Sequence, residues 1–383
     1  MPGTLSPATP HPASAPSRFD QSAGKGRRRR RIGAVALAVL AALVIVTTAV
    51  PPLRARAKAV AVLARAVGVP FPRPFAHRVH VRHLHFAPGV DGDLYSPGRA
   101  APIILSPGGN PEGKDDPRLV RVARSIAGAG RMVLVPQLEL RHQIFEWFDV
   151  QRLVASVEEM RRMSGGHPVG LVGFSYGGSF CLLAAEDPRI APAVDFVAVF
   201  GSFDDLLGVV QGITTGASTY GGKLIRWKTV PEARDILIRS ALGLVSPQDR
   251  LPLSAALAAH DPSGLSPPTH RVFDLLENTD PRRTYRLASS LPEGFRSQVA
   301  RFSPVTNLAR LRAPLFIMQS VNDPATPPTE AYRLHRSVPG SRLVILHQFL
   351  HVYPPGKGTP VLGDIADGWG AWKFVSWILA AQE

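Results

Sequence analysis

The sequence predicts an α/β fold in which helices cover both faces of a mostly parallel β-sheet. From about residue 78 onward, short apolar runs alternate with stretches of helical periodicity. The segments between successive apolar runs have the length of the crossover connections that parallel strands require. With 383 residues, of which 45% are hydrophobic and 19% charged, the chain can also bury a large core. We therefore expect one large domain at residues 78–383, preceded by shorter segments.

The first part of this domain supplies most of the predicted sheet. Residues 79–86 and 90–95 alternate in polarity and predict a β-hairpin. Buried strands are predicted at residues 101–105, 132–136, 168–173 and 194–200. Helices are predicted at residues 117–129, 147–163 and 176–185. One helix therefore lies between each pair of consecutive buried strands, as parallel pairing requires.

The alternation stops between about residues 207 and 301. Segments 231–245 and 271–276 have helical character and are separated by Pro and Gly. An insertion of about 95 residues is too long for a plain loop, so we predict a helical cap over the C-terminal edge of the sheet. The alternation then resumes, with strands predicted at 314–320 and 343–347 and helices predicted at 328–336 and 369–381.

The N-terminal segment carries most of the net charge. Residues 1–60 hold 10 Lys/Arg and one acid, which is +9 of the total of +15. Residues 1–31 are rich in Pro, Ser, Ala and Arg and predict a disordered basic tail. No Lys/Arg stripe with interleaved aromatic residues follows downstream, so we expect no nucleic-acid partner.

Residues 32–50 are uncharged and, at about 1.5 Å per helical residue, could span a bilayer. We predict a transmembrane anchor, with a signal-peptide core cleaved near residues 47–49 as the alternative. The basic tail precedes this segment, so the positive-inside rule places the N-terminus in the cytoplasm and the domain outside it, or in the secreted form after cleavage. Residues 51–77 then predict a basic neck, either an ordinary helix or one resting on anionic headgroups. In this neck the predicted apolar face comprises Leu53, Ala57, Val60, Ala64 and Val67.

Residues 173–177 read Gly-Phe-Ser-Tyr-Gly, between a buried-strand run and the start of a helix. Small residues on both sides of a serine allow the sharp turn from strand to helix that exposes the hydroxyl above the sheet, a nucleophile elbow. The sequence therefore predicts Ser175 as a nucleophile. The alternative is a Gly-rich turn without a catalytic role.

A serine nucleophile needs a histidine base, and a carboxylate must hold that histidine in the right tautomer. In sheets with such an elbow, the acid ends a later strand and the histidine follows the last strand. Asp323 has the first of these positions, with Asp204 or Asp205 as alternatives. His351 has the second, and we prefer it to His347 because His347 is predicted to continue the strand.

The reaction also needs backbone donors for the oxyanion that forms on attack. The N–H of Tyr176, directly after the nucleophile, is the first candidate. Residues 106–110, Ser-Pro-Gly-Gly-Asn, follow an earlier strand and supply Gly109 as the second, with Asn110 as the alternative.

From about residue 78 to the C-terminus, these motifs resemble the α/β-hydrolase superfamily. Residues 173–178, residues 323–327 (Asp-Pro-Ala-Thr-Pro) and His351 resemble its serine aminopeptidase-like or dienelactone-hydrolase-like branch, as does segment 303–308. One departure is that Pro107-Gly108 stands where the family usually has His-Gly after the third strand.

The resemblance and the predicted triad imply a serine hydrolase that acts through an acyl-enzyme, with an ester as default substrate and no metal or cofactor. A peptidase or amidase of the same fold is one alternative function. A non-catalytic, membrane-tethered binding protein is another. The sequence leaves the oligomeric state open.

Other chemistry-bearing residues have simpler interpretations. His77, His80, His83 and His85 suggest a metal site, but we favour a solvated edge strand because no Cys or carboxylate cluster adjoins them in the sequence. Cys181 is the single cysteine, so it cannot form an intramolecular disulfide, and we expect a core thiol.

Overall fold

The computed structural model of the chain describes residues 51–69, 77–352 and 361–383. The predicted tail and the predicted anchor or signal core, residues 1–50, lie outside the described residues. The chain divides into two compact units, Met1–Arg54 and Ala55–Glu383. Of the first unit only residues 51–54 are described, as the start of a helix. The sheet and its cap belong to the second unit.

Eight strands form the central sheet. They are β1 (His80–Ala87), β2 (Val90–Ser96), β3 (Pro102–Ser106), β4 (Met132–Pro136), β5 (Val169–Phe174), β6 (Val194–Phe200), β9 (Leu315–Ser320) and β10 (Arg342–Leu346). Their spatial order is β1-β2-β4-β3-β5-β6-β9-β10. The pairs β1–β2 and β2–β4 are antiparallel, and the other five pairs are parallel. The predicted mostly parallel sheet is therefore confirmed.

The described α-helices lie before, between and after the strands. In chain order they are α1 (Pro51–Ala66), α2 (Pro117–Gly128), α3 (Trp147–Ser164), α4 (Tyr176–Ala185), α5 (Leu206–Thr215), α6 (Pro231–Leu244), α7 (Pro247–Ala259), α8 (Pro267–Leu276), α9 (Thr284–Ser289), α10 (Glu293–Arg301), α11 (Pro328–Ser337) and α12 (Val361–Ala380). Within the described ranges, none of these helices combines the length and the apolar character needed to span a bilayer.

The core has two parts, one on each face of the sheet. Ile104 packs in the part that contains α3, α4 and α11, whereas its neighbours Ile103 and Leu105 pack in the part that contains α1, α2 and α12. Successive residues of a strand point to opposite faces, so a strand covered on both faces must be apolar throughout. This explains why the buried strands are continuous apolar runs in the sequence, and it confirms helices on both faces.

Residues 55–66 of α1 are packed into the second part of the core. The buried positions of this helix recur at helical spacing and include Ala55, Ala59 and Val62. The predicted apolar face was wrong, because Val60, which belongs to it, is 47% exposed. The indole of Trp372 on α12 donates a hydrogen bond to the carbonyl of Arg56 at 3.0 Å. The predicted boundary at residue 78 therefore falls inside the second unit, which begins at Ala55.

The cap is the chain between β6 and β9. It contains α5 to α10 and a two-stranded antiparallel hairpin, β7 (Ala217–Tyr220) and β8 (Lys223–Arg226), which the sequence analysis did not predict. Each hairpin strand has four residues, and β8 is exposed along its whole length. Strands of four residues carry little apolar pattern, which is why the sequence did not predict this hairpin.

Candidate active site

Ser175 occupies the turn between β5 and α4. Its backbone has φ 53° and ψ −137°, a conformation that costs strain in any residue with a side chain. Two hydrogen bonds hold the turn, from Ser175 N–H to the carbonyl of Phe200 at 2.7 Å and from Gly178 N–H to the carbonyl of Ser175 at 3.0 Å. The strained turn is therefore held at the C-terminal end of the central strand β5, with Ser175 at its apex.

The glycines around Ser175 are required because backbone segments touch one another there. A Cβ on Gly173 would lie 2.3 Å from the Cα of Gly178, and a Cβ on Gly177 would lie 1.9 Å from the carbonyl oxygen of Pro107. Real Cβ atoms do not approach so closely, so neither position accepts a larger residue without a backbone shift. The small residues of the motif thus have a packing reason in this chain.

Asp323 lies in the turn after β9 and is hydrogen-bonded to His351. The distance from His351 Nδ1 to Asp323 Oδ2 is 2.7 Å, and the two residues are only 7% and 1% exposed. The carboxylate also accepts the backbone N–H groups of Ala325 and Thr326, each at 2.9 Å, and the amide of Gln319 at 2.8 Å. Because Nδ1 is bonded to Asp323, Nε2 is the ring nitrogen that can act as a base.

The end of β6 packs against the imidazole of His351. A Cβ on Gly201, which has φ +71°, would lie 2.8 Å from His351 Cε1 and 3.2 Å from Asp323 Oδ2. His351 itself has φ +57°. The loop that carries His351 is therefore in direct contact with Gly201, at the end of β6.

A cavity of about 490 Å³ adjoins these groups, and Ser175, Tyr176, Gly109 and His351 all line it. Most of the remaining lining is apolar and includes Leu119, Val122, Val230, Ile236, Leu350 and Val352. The elbow after β5, the acid turn after β9 and the histidine loop after β10 follow the order Ser, acid, His.

The chain has the α/β-hydrolase fold.

Comparisons with solved structures found similar chains at low sequence identity. A provisionally assigned lipase of Acinetobacter baumannii is 15% identical, with 81% of this chain and 93% of that chain covered and a TM-score of 0.43. An alpha/beta hydrolase superfamily protein of Enterococcus faecalis is also 15% identical, with 77% and 99% covered and a TM-score of 0.44. A puromycin-hydrolyzing peptidase of Mycobacterium tuberculosis is 14% identical, with 82% of this chain but 41% of that chain covered and a TM-score of 0.48. No family model and no curated protein matches the chain. The fold assignment therefore rests on the sheet topology and the elbow.

Gly109 and Tyr176, whose N–H groups are the predicted oxyanion donors, line the same cavity, and Gly109 lies close to the Tyr176 ring. Tyr176 is the first residue of α4, so its N–H has no acceptor within the helix. A Cβ on Gly109 would lie 3.6 Å from Tyr176 Cδ2. Across the described ranges, neither N–H donates a hydrogen bond to another protein group. Asn110, the alternative donor, uses its side-chain oxygen to accept the N–H of Gly113 at 2.8 Å.

The prediction that His347 continues the last strand was wrong. Strand β10 ends at Leu346, so His347 does not continue the strand. Its backbone N–H donates to the carboxylate of Asp367 at 2.8 Å, and its side chain is 63% exposed. His351 is the histidine bonded to Asp323, at the position expected from the chain order.

The alternative acids, Asp204 and Asp205, lie with another carboxyl group. Their backbone N–H groups donate to Glu330 Oε2 at 3.2 and 2.9 Å, and Asp205 caps α5 by accepting the N–H of Leu207 at 3.0 Å. Burial raises the pKa of Asp204 to about 7, with a further contribution from the charge of Asp205. Burial also raises the pKa of Glu330 to about 8.

Two cap residues and Tyr176 donate hydrogen bonds to the turn that carries Asp323. The sequence did not predict these contacts. Trp227 Nε1 donates to the carbonyl of Asp323 at 2.6 Å, and Thr229 Oγ1 donates to the carbonyl of Pro324 at 3.2 Å. The hydroxyl of Tyr176 donates to the carbonyl of Ala325 at 3.2 Å. Burial and then the charge of Asp323 raise the pKa of this hydroxyl, so Tyr176 is a neutral donor. No local motif marks contacts between residues so far apart in the chain.

Carboxylates of the neighbouring strand β2 lie beside His83. His83 Nδ1 lies 2.8 Å from Asp93 Oδ1, and Lys114 Nζ lies 2.9 Å from Asp93 Oδ2. The predicted solvated edge strand is β1, which lies at one end of the sheet and whose His80, His83 and His85 are exposed. In the parts of the chain that the structure describes, no group of three or more His, Cys, Asp or Glu side chains is arranged to hold a metal ion.

Cys181 is fully buried in α4, where burial raises the pKa of its thiol to about 12. A thiol with so high a pKa carries almost no thiolate near neutral pH. Its surroundings are those of a core residue.

Proposed function

We propose that the protein is a serine hydrolase that cleaves a carboxylic ester through an acyl-enzyme. The observation that carries this proposal is the buried hydrogen bond of 2.7 Å between His351 and Asp323, at the wall of the cavity that Ser175 also lines. A structural role alone does not account for a histidine that is bonded to a buried carboxylate and lines the same cavity as a serine in a strained turn.

In the proposed mechanism, Ser175 Oγ attacks the carbonyl carbon of the ester while His351 Nε2 takes the hydroxyl proton. The C–O bond to the alcohol then breaks, and His351 returns the proton to the departing oxygen. Water repeats both steps on the acyl-enzyme and releases the acid. Asp323 holds the imidazole in the tautomer with Nδ1 protonated and stabilises the imidazolium that forms.

The proposed oxyanion donors are the N–H groups of Tyr176 and Gly109. They are supported by their position on the same cavity wall and by the close approach of Gly109 to the Tyr176 ring. Donors that are fixed before the reaction stabilise the developing charge without reorganisation, which is worth about 3 kcal/mol for each donor.

An ester is the proposed substrate because apolar side chains form most of the cavity lining, to which Glu112, Asp116, Arg118 and Glu232 add charged groups. Such a lining favours an apolar acyl or alcohol group. The same triad also cleaves amides, so aminoacyl amides are the natural comparison substrates.

Reaction with a fluorophosphonate probe tests the hydrolase proposal. We expect one adduct per wild-type chain, on Ser175, and none on Ser175→Ala. Absence of an adduct on the wild type, or equal labelling of both proteins, would favour the non-catalytic binding protein. Turnover of a panel of esters beside aminoacyl amides separates the remaining alternatives, and faster cleavage of the amides would overturn the ester assignment.

We also propose that the hydrolase domain lies outside the cytoplasm, attached through residues 32–50 or secreted after their cleavage. The proposal is supported by the seven Lys/Arg residues that precede this apolar segment.

A further inference from the structure

Helices α1 and α12 share an exposed surface. The indole Nε1 of Trp372 on α12 donates to the carbonyl of Arg56 on α1 at 3.0 Å. The ring of Trp369 stacks on that of Trp372, with the ring centroids 4.4 Å apart. Ile365 lies about one turn before Trp369 on α12, and Val60 lies about one turn after Arg56 on α1. We call these five residues the indole face.

The indole face exposes large apolar side chains. Trp369 is 59% exposed, Ile365 is 63% exposed and Val60 is 47% exposed. Single exposed apolar residues are normal on a protein surface, whereas several that adjoin one another mark an interaction site. The stacked tryptophan pair and its hydrogen bond to α1 join these side chains into one surface, which therefore needs a partner.

Basic side chains accompany the apolar ones. Arg56 is exposed, and Lys373 follows Trp369 by about one turn on the same side of α12. Among the described residues neither Arg56 nor Lys373 forms an ion pair, whereas Lys58 of α1 is paired with Glu383 at 3.1 Å. Two positive charges are therefore available to a partner that carries negative charge.

The sequence limits how far this surface can lie from the proposed anchor. Residues 51–56 are all that separates the apolar segment 32–50 from Arg56. Six residues span at most about 20 Å when fully extended, so an anchor in residues 32–50 keeps Arg56 within that reach of the bilayer. Tryptophan is enriched where membrane meets water, and basic side chains are attracted to anionic lipid headgroups.

We infer that the indole face docks on the surface of a bilayer that contains anionic lipids and holds the hydrolase domain against it. This inference rests on the proposed attachment through residues 32–50 and adds the surface with which the domain contacts the membrane. The residues concerned do not include those that line the catalytic cavity.

Site-specific labels in the full-length protein test the inference. The single cysteine, Cys181, is fully buried, so a cysteine introduced at the surface can be labelled selectively with the environment-sensitive fluorophore NBD. Ile365→Cys places the label in the indole face. Leu251→Cys is the matched control, because Leu251 on α7 of the cap is also an exposed aliphatic side chain, at 82%.

The labelled proteins are reconstituted into vesicles of equal amounts of phosphatidylcholine and phosphatidylglycerol, with or without lipids that carry a nitroxide near the headgroup. We expect the emission of the label at position 365 to shift to shorter wavelength and about half of it to be quenched by the nitroxide, because side chains of a docked surface lie at the headgroup boundary. The label at position 251 should show neither effect. Adding Arg56→Glu to the Ile365→Cys protein should reduce the quenching about twofold, since it replaces attraction to phosphatidylglycerol by repulsion.

Quenching at both positions, or at neither, would overturn the docking surface. A wavelength shift at position 365 without quenching would also overturn it, because a second copy of the chain or another protein would then cover the indole face.

Flotation of the wild-type protein with the vesicles separates this inference from the proposals on which it rests. If the protein floats but the label at position 365 is not quenched, the docking surface is wrong and the anchor stands. If the protein does not float, the proposed attachment fails and the inference fails with it. Fluorophosphonate labelling of Ser175 tests the hydrolase proposal independently of both.

Discussion

Asp323 and His351 are 28 residues apart in the sequence, yet one hydrogen bond of 2.7 Å joins them in the fold. The carboxylate of Asp323 also accepts two backbone N–H groups and one amide, so its orientation is fixed independently of the histidine. In the proposed mechanism, a histidine held in this way needs no reorganisation when it becomes an imidazolium. The role of Asp323 can therefore be separated by mutation from that of Asp204.

Asp323→Asn should lower kcat for ester hydrolysis by on the order of 10³- to 10⁴-fold, because an amide at this position favours the wrong tautomer of His351. Asp204→Asn should change kcat by less than about threefold, since the Asp204 carboxyl group interacts with the carboxyl group of Glu330 and is not bonded to His351. Steady-state kinetics of both purified variants check this prediction. A larger loss in Asp204→Asn than in Asp323→Asn would assign the acid to Asp204.

Asp204 also predicts a pH dependence of stability. Its pKa is raised to about 7 by burial, against about 3.9 for an unfolded aspartate. Between about pH 4 and pH 7, Asp204 keeps its proton in the folded state but has lost it in the unfolded state. The contribution of Asp204 to the free energy of unfolding is therefore fully present below about pH 4 and is lost as the pH rises through 7. Asp204→Asn removes the effect.

We therefore expect the free energy of unfolding of Asp204→Asn to rise relative to wild type between pH 4 and pH 8, by up to about 4 kcal/mol. Urea unfolding at a series of pH values measures the difference. Asp235→Asn, at an exposed position of the cap, is the matched control. A constant difference between Asp204→Asn and wild type across this range would contradict the raised pKa.

At the level of secondary structure, the buried strands were the most predictable elements. The bounds predicted for β4 and β6 agree with the structure, and those for β3 and β5 differ by one residue at each end. Strands covered on both faces leave an uninterrupted apolar run in the sequence, and this signal does not depend on distant contacts. The elbow was predictable for the same reason, since its strand, turn and helix are consecutive in the chain.

Elements whose stability depends on distant partners were predicted poorly. Helix α12 begins at Val361, eight residues before the predicted start, in a stretch with glycines at 363, 368 and 370. The face that α1 buries is set by its contacts with α12 and the sheet, which its own periodicity does not reveal. The same limit applies to the site, because Trp227 and Thr229 reach the acid turn from about 95 residues away.

The contact between β6 and the histidine loop gives a prediction at this scale. Gly201→Ala should lower the rate of fluorophosphonate labelling about a hundredfold, because the added Cβ would lie 2.8 Å from the His351 ring and displace it. Gly264→Ala is the control, since Gly264 also has a positive φ, +81°, but has no atom within 4 Å of an added Cβ. The rate of fluorophosphonate labelling measures both effects. Equal losses of labelling rate in Gly201→Ala and Gly264→Ala would show that backbone strain, and not the contact with His351, causes the loss.

At the scale of the whole molecule, the packing of α1 changes how the proposed topology must be tested. Residues 55–66 of α1 belong to the core, where Ala59 is fully buried and Lys58 forms an ion pair with Glu383 at 3.1 Å. A reporter inserted near residue 60 would break this packing and unfold the domain for a reason unrelated to location. A fusion after residue 383 leaves α1 intact, and residue 383 as a whole is exposed although its side chain is only 6% exposed in the ion pair with Lys58.

A C-terminal fusion tests the orientation directly. Seven Lys/Arg precede residues 32–50 and three follow closely, at positions 54, 56 and 58, so the N-terminus should stay in the cytoplasm. Alkaline phosphatase fused after Glu383 should be active, and a green fluorescent protein at the same position should be dark. Replacing the five arginines at 27–31 by Gln leaves two basic residues before the segment against three after it, and should reduce phosphatase activity. A bright fluorescent fusion of the wild-type chain would overturn the proposed location, and the mass of the mature N-terminus distinguishes a retained anchor from a cleaved signal.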